Sequence, residues 1–111
     1  MLAGLKRWAR TLSPEFKSGE CHAGRYETSI VMAAAPELVT EALRTRLSPV
    51  PISLSENLKA GVMTFEAMGM ALAYAGDPAS ASVEEGEQLV QRLGEMVVGE
   101  VLEALGIKPT M

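Results

Sequence analysis

The stretch that decides the fold is CHAGRYETS at residues 21–29, followed by the apolar run IVMAAA at residues 30–35. It contains the single cysteine and the single histidine of the chain. Residues 23–35 predict a short helix, because the stretch is rich in alanine, lacks an internal proline and stops against Pro36. Its apolar residues fall on nearly every side of that helix. We therefore expect burial on several faces, as in a layered α/β protein.

The segments that follow this helix carry weaker signals. Pro36 suits the first position of a second helix, predicted over residues 37–47. Residues 48–53, SPVPIS, should be extended, because each proline disfavours helical backbone at the residue before it. Residues 62–65 favour a short strand, and Gly69 and Gly76 mark turns.

The last and longest helix is predicted from Ser82 to about residue 105. Asp77-Pro78 signals a first helix start, and Ser82 and Glu85 form a capping box in which each satisfies the other's free amide. Gly106 ends the helix. Its broad apolar face consists of Leu89, Val90, Leu93, Val97, Val98, Val101, Leu102 and Leu105. Such a face needs a large partner surface, for example a β-sheet, and this chain offers few convincing strands.

Length and composition exclude several classes of protein. A chain of 111 residues forms one domain at most, and 48% hydrophobic residues are too many for a disordered protein. The net charge of −4 argues against phosphate-driven binding of nucleic acid. One cysteine forms no internal disulfide, and no apolar run reaches the ~20 residues of a membrane span. We expect a cytoplasmic protein without a membrane partner.

The candidate chemical groups cluster where the first helix begins. His22 precedes that helix, and a neutral imidazole there can ligate a metal or accept a proton, although a surface histidine is the simpler interpretation. Glu27 lies in the first turn, where the helix dipole favours a carboxylate in any case. Ala23 and Gly24 leave backbone amides that can receive a carbonyl oxygen or an anion, or they form an ordinary loop. Cys21 lacks a CxxC partner, so a buried apolar role competes with reactivity.

Residues 22–29 resemble the C-terminal signature of the creatininase family of metal-dependent amidohydrolases. In that signature, His-Ala/Gly-Gly-x-x-Glu-Thr-Ser precedes an apolar helix and a Pro-acidic-Leu-Val turn, which reads PELV here at residues 36–39. Residues 48–55, 61–65 and 74–78 also look like segments of family members. The resemblance therefore extends over nearly the whole chain.

The resemblance implies an α/β, three-layer creatininase-like fold, with residues 1–111 as the mostly helical C-terminal portion of a single domain. It implies hydrolysis of a cyclic or other non-peptide amide C–N bond with the help of a divalent metal, Zn or Mn. The metal centre of the family is built largely from Glu-x-His and His-Gly-x-His segments in the N-terminal half. This chain has one histidine, so we assign no metal ligand within it and expect most ligands outside it.

The resemblance also implies roles for individual residues. His22 would donate a proton or orient the substrate carbonyl, and Glu27 would support it. The implied substrate-binding residues are Ser18, Cys21, Ala23 and Gly24. In creatininases a tryptophan that encloses creatinine lies four residues before the motif histidine, and Ser18 stands there in this chain, which argues against creatinine as the substrate.

The expected partners are a small-molecule amide and, for the uncovered apolar face, either further copies in a homo-oligomer or an N-terminal half-chain. Two other classes of function remain open. In the first, the chain is a non-catalytic fragment or partner subunit that acts as an interaction module. In the second, it is a free helical interaction domain. The free domain would be monomeric, cooperative in unfolding and free of metal.

Overall fold

The computed structural model describes residues 12–19 and 22–107, so Cys21 and its predicted role lie outside the described residues. The helices follow one another along the chain with short connections. They are α1 (Pro14–Ser18), α2 (Arg25–Ala34), a 3₁₀ helix (Pro36–Leu38), α3 (Glu41–Arg44), α4 (Leu54–Lys59), α5 (Phe65–Met68), a second 3₁₀ helix (Pro78–Ser80) and α6 (Val83–Ala104).

Within the described residues, β-pairing consists of two isolated antiparallel bridges, His22 with Ala75 and Val50 with Gly76. The second bridge has a reciprocal pair of hydrogen bonds, 2.8 Å from the Val50 amide to the Gly76 carbonyl and 2.7 Å in return. Residues 48–53 contain no helix, as the two prolines predict. The described part of the chain is therefore mostly helical, and the sheet of a three-layer fold is not formed by it.

The main packing contact joins α2 to α6. Tyr26, Ser29 and Met32 are the buried residues of α2, which packs against α6. Leu89 of α6 is 4% exposed. At Gly86 of α6, a Cβ atom would overlap the backbone carbonyl of Ser29, so glycine lets the two helices approach closely. Only one face of α2 is buried in this way, and Val31 is 37% exposed. The expectation of burial on several faces is wrong for the described chain.

The helix predicted over residues 37–47 is interrupted, which corrects the sequence interpretation. Val39 and Thr40 have extended backbone dihedral angles and separate the first 3₁₀ helix from α3. Both are β-branched residues with weak helix propensity. The neighbouring side chains of Leu38 and Leu43 remain 75% and 61% exposed, so no burial compensates for that weakness.

The strand predicted at residues 62–65 is also wrong. The hydroxyl of Thr64 accepts a hydrogen bond of 3.1 Å from the amide of Ala67 and thereby caps α5. Gly69 follows α5 with φ of +85°, which confirms the predicted turn. A second small core forms around this turn from Met68, Met70 and Ala75, with Val50, Ile52, Leu54 and Val62 packed against it.

The long helix α6 agrees closely with its prediction. Its N-cap Ser82 accepts a hydrogen bond of 3.1 Å from the Glu85 amide, and Gly106 adopts a left-handed φ of +71° just beyond its end. The other half of the predicted capping box differs, because the Ser82 amide donates to the hydroxyl of Ser29 instead of to Glu85. No helix in the described ranges is long and apolar enough to cross a membrane.

Candidate active site

His22 lies just before α2 and is held from two sides. Its carbonyl accepts a hydrogen bond of 2.8 Å from the amide of Ala75, which forms the isolated bridge. Its imidazole packs against the ring of Phe65, the first residue of α5, with centroids 4.6 Å apart and planes tilted by 35°. The side chain is half-buried, so solvent and small molecules reach part of it.

The peptide that follows His22 is held by two residues of α2. Ala23 has a left-handed φ of +52°, a conformation that is uncommon for a residue with a side chain. The carboxylate of Glu27 accepts a hydrogen bond of 2.6 Å from the Ala23 amide, and the hydroxyl of Thr28 donates to the Ala23 carbonyl at 3.3 Å. Glu27 therefore acts on the backbone next to His22. The hydrogen bond that the structure gives it is with that peptide, not with the imidazole.

The carboxylate of Glu15, a residue of α1, lies at the N-terminal end of α2. The sequence patterns did not predict a role for this residue. Its carboxylate accepts hydrogen bonds from the amides of Arg25 at 2.8 Å, Tyr26 at 2.9 Å and Asp77 at 2.9 Å. The first amides of a helix have no partner within the helix and attract an anion. The sequence predicts that amides at Ala23 and Gly24 receive a substrate oxygen. In the structure the Ala23 amide donates to Glu27, and the Arg25 and Tyr26 amides that follow donate to Glu15. The substrate-binding role of Ala23 and Gly24 stays a prediction.

Ser29 connects α2 to the start of α6. It is fully buried, its hydroxyl donates to the Glu85 carboxylate at 3.0 Å, and it accepts from the Ser82 amide at 3.1 Å. The same carboxylate receives the Arg25 guanidinium at 2.9 Å. Both residues of the Thr-Ser pair in the motif therefore make structural hydrogen bonds. Thr28 bonds to the loop before α2, and Ser29 bonds to the start of α6.

The remaining predicted residues lie on two different concavities. Ser18 donates its hydroxyl to the Glu15 carbonyl at 2.8 Å and lines a pocket of about 310 Å³ together with Arg25 and Asp77. Ala23 and Glu27 line a broader, mostly apolar groove of about 460 Å³. The structure thus places Ser18 on a different side of the loop from Ala23 and Glu27.

The sequence profile that matches this chain is that of Creatininase, described as creatinine amidohydrolase, and the match covers residues 2–101. The chain belongs to the creatininase family. Searches of curated proteins and of solved structures found no match. Membership implies an amidohydrolase activity and a creatininase-like fold, which the His-Ala-Gly-x-x-Glu-Thr-Ser motif at residues 22–29 already indicated.

Arg44 also lines the groove in this creatininase-family chain. Its guanidinium donates to the carbonyls of Pro78 at 3.1 Å and Ala79 at 2.9 Å, and it pairs with Glu41 at 2.6 Å. The hydrogen bond from Arg44 lowers the pKa of the exposed Glu41 carboxyl, and the same bond raises the pKa of Arg44. Arg44 is thus engaged in joining α3 to the second 3₁₀ helix.

The described side chains do not fit a metal centre. Residues 12–19 and 22–107 contain no group of three or more histidine, cysteine, aspartate or glutamate side chains that could hold a metal ion. The carboxylates of Glu15 and Glu27 at the start of α2 already have partners, since both accept from backbone amides. A catalytic zinc site needs about three protein ligands that converge on the ion. The arrangement around His22 is suited instead to presenting one imidazole at a fixed position.

Proposed function

We propose that this chain supplies the histidine part of the active site of a metal-dependent amidohydrolase that cleaves a cyclic or other non-peptide amide. The observation that carries the proposal is the family match together with the placement of the only histidine. His22 is fixed by the bond from Ala75 to its carbonyl and by the contact of its ring with Phe65. A positioned, partly accessible imidazole is the side chain that most often transfers a proton in general acid–base catalysis.

In this proposal His22 donates a proton to the departing nitrogen or orients the amide carbonyl. Glu27 supports it by holding the Ala23 peptide in its left-handed conformation. The apolar groove beside Glu27 and Thr28 offers a surface for the body of a small substrate. Creatinine itself is disfavoured, because Ser18 stands where creatininases carry an enclosing tryptophan.

The metal ligands, for Zn or Mn, would come from a separate polypeptide segment. Several imidazole and carboxylate ligands are needed, and this chain has one histidine. When bound, the metal would supply hydroxide and polarise the amide carbonyl. A cytoplasmic location fits a chain whose single cysteine forms no internal disulfide.

The test is complementation with an N-terminal half of a creatininase-family enzyme that carries the Glu-x-His and His-Gly-x-His segments. The two chains are co-expressed with Zn or Mn and assayed on creatinine, on other cyclic amides and on formanilide as a simple formamide. We expect no hydrolysis by the pure chain alone and hydrolysis of at least one amide by the complemented protein. Amidase activity of the pure chain, or an inactive complemented protein, would contradict the proposal.

The variant that tests the chemistry is His22→Ala in the complemented protein. Its turnover should fall by on the order of 10²–10⁴-fold, the usual contribution of a positioned acid–base group, while its melting temperature stays close to wild type. Glu27→Gln should lower turnover less, and Glu84→Gln on the exposed start of α6 is the control. Wild-type turnover in His22→Ala, or equal losses of turnover and stability, would make His22 a structural residue.

A role as an interaction module is the second candidate. The observation that favours it is the valine surface of α6, where Val97 and Val98 are 55% and 57% exposed. A second copy or a complementary half-chain would cover that surface. Complementation distinguishes the two candidates, because a pure interaction module forms a complex whose activity does not depend on His22.

A further inference from the structure

The start of α2 lacks a side-chain cap of its own. Its N-cap is Gly24, which has no side chain and makes no capping hydrogen bond. The first amides of a helix have no partner within the helix, and a group that accepts from them stabilises the helix start. Glu15 of α1 fills that place, with Oε2 on the Arg25 amide and Oε1 on the Tyr26 amide.

The same carboxylate also reaches the other chain segment that holds His22. Its Oε2 accepts from the Asp77 amide at 2.9 Å, and Asp77 lies close in sequence to Ala75, whose amide donates to the His22 carbonyl. His22 therefore sits between two fixed points. On one side is the bond from Ala75, and on the other is the helix start that Glu15 holds.

Two glycines in the neighbouring loops leave space for the carboxylate of Glu15, because they have no side chain. A Cβ atom at Gly24 or at Gly76 would overlap the Glu15 carboxylate, and at Gly24 it would also overlap the Ala75 carbonyl. Gly76 also has φ of +98°, which residues with side chains rarely adopt. Both glycines are buried. The two loops thus close around one side chain that comes from a third segment.

We infer that Glu15 is a positioning residue for His22, and that its negative charge is what joins the His22 loop to the segment at residues 75–77. The inference rests on the proposed function, in which His22 does the chemistry. A carboxylate accepts from three amides at once, whereas a glutamine has one acceptor oxygen and an NH₂ group that only donates. Glu15→Gln keeps the size of the side chain and leaves an amide facing a donor. A shifted His22 signal or a lower kcat in this variant is therefore due to the lost charge and its hydrogen bonds, not to a change in side-chain size.

The first measurement is the NMR spectrum of the full chain at fixed pH. His22 is the only histidine, so its imidazole Cε1–H signal is assigned by its absence in His22→Ala. Glu15→Gln should shift this signal and the amide signals of Arg25, Tyr26 and Asp77. Glu84→Gln removes the same charge from an exposed first turn of α6 and should leave all of these signals in place.

The second measurement is the kinetics of the complemented enzyme. Glu15→Gln should lower kcat by on the order of 10²-fold, the loss that a displacement of about 1 Å produces, with KM nearly unchanged. An unmoved His22 signal with wild-type kcat would overturn the inference even when His22→Ala is inactive. If His22→Ala keeps full turnover, the proposed function fails, and the NMR shift still decides whether Glu15 positions His22.

A milder variant covers the case in which Glu15→Gln does not fold. Glu15→Asp keeps the charge but shortens the side chain, so it cannot hold the three amides in the same geometry. A folded Glu15→Asp chain should show a smaller displacement of the His22 signal. If Glu15→Asp is folded and its His22 signal matches wild type, Glu15 is only a stabilising cap and the inference is wrong.

Discussion

Around the start of α2, the carboxylates of Glu15 and Glu85 accept hydrogen bonds from residues that are distant in sequence, and Glu27 accepts one from the nearby Ala23 amide. Along the second half of α6, Val97 and Val101 instead remain 55% and 48% exposed. The first region is a dense polar network with short hydrogen bonds. The second is an apolar surface on which the described residues make little contact.

The difference shows which parts of the molecule are complete within the chain. A polar network with matched donors and acceptors fixes the position of backbone and side chains, which the role proposed for His22 requires. An apolar surface gains stability only when it is covered, at about 25 cal/mol for each Å² of apolar surface buried. We therefore expect variants in the first region to alter folding strongly, and variants in the second to alter association.

The largest effect is expected from Gly86→Ala, at the point where α6 touches α2. The added Cβ would overlap the Ser29 carbonyl, which is backbone and cannot rotate away, and it would press on the Cβ of Ala33. Forcing the helices apart should lower the free energy of unfolding by about 3 kcal/mol, the upper part of the range for overpacked cores. Chemical denaturation followed by circular dichroism measures this loss.

Gly94→Ala on the same helix is the matched control. No atom of the described residues other than its own helix and chain neighbours lies within 4 Å of a Cβ built at Gly94. Replacing a glycine by alanine inside an exposed helix should raise the free energy of unfolding by about 0.5–1 kcal/mol. Equal behaviour of the two alanine variants would contradict the close packing of α2 on α6.

The second effect is expected from Ser29→Ala. The variant removes the acceptor of the Ser82 amide and one donor to the Glu85 carboxylate, both at a fully buried position. Leaving such groups unpaired should lower the free energy of unfolding by about 1–3 kcal/mol. Ser80→Ala removes an exposed hydroxyl bonded to Asp77, and its change should stay within about 0.5 kcal/mol. Equal stability of Ser29→Ala and wild type would show that water replaces the hydroxyl.

The sequence predicted those features that depend on neighbouring residues. The start and end of α6 followed from Ser82 and Gly106, and α2 ended against Pro36 as expected. The family followed from the motif at residues 22–29 and is confirmed by the match over residues 2–101. Capping, proline breaks and short motifs are local, so a single sequence is enough to show them.

The features that the sequence missed depend on contacts between distant segments. Glu15 lies ten residues before Arg25 and 62 before Asp77, so no local pattern connects it with either. The hydrogen bond from the Ser82 amide to the Ser29 hydroxyl joins residues that are 53 positions apart. It replaces the bond from the Ser82 amide to Glu85 that the capping box predicts. A clue was present, however, since Gly24 offers no cap to the helix start that it precedes.

The smallest effect on folding is expected on the valine surface of α6, which consists of the exposed residues Val97, Val98 and Val101. The variant is the double substitution Val97→Gln and Val101→Gln. Both side chains are about half exposed, so glutamines there should change the free energy of unfolding by less than about 0.5 kcal/mol. Leu89→Gln is the control in the packed half of α6, where the side chain is 4% exposed. That variant should lower the free energy of unfolding by about 2–5 kcal/mol, because it removes the packing of a buried leucine and places an unpaired amide group there.

The valine variant should instead change association, which makes it the sharpest test of the difference between the two regions. We expect the wild-type chain to self-associate in sedimentation or to bind a hydrophobic dye, because each valine that becomes covered gains up to about 1.5–3 kcal/mol. The double variant should sediment as a smaller species and bind less dye, with an unchanged melt. A wild-type chain that is already a monomer with a sharp melt and no dye binding would contradict the need for a partner. The exposed valines would then belong to a self-sufficient helical domain, and the polar network around Glu15 and Ser29 would stabilise that domain alone.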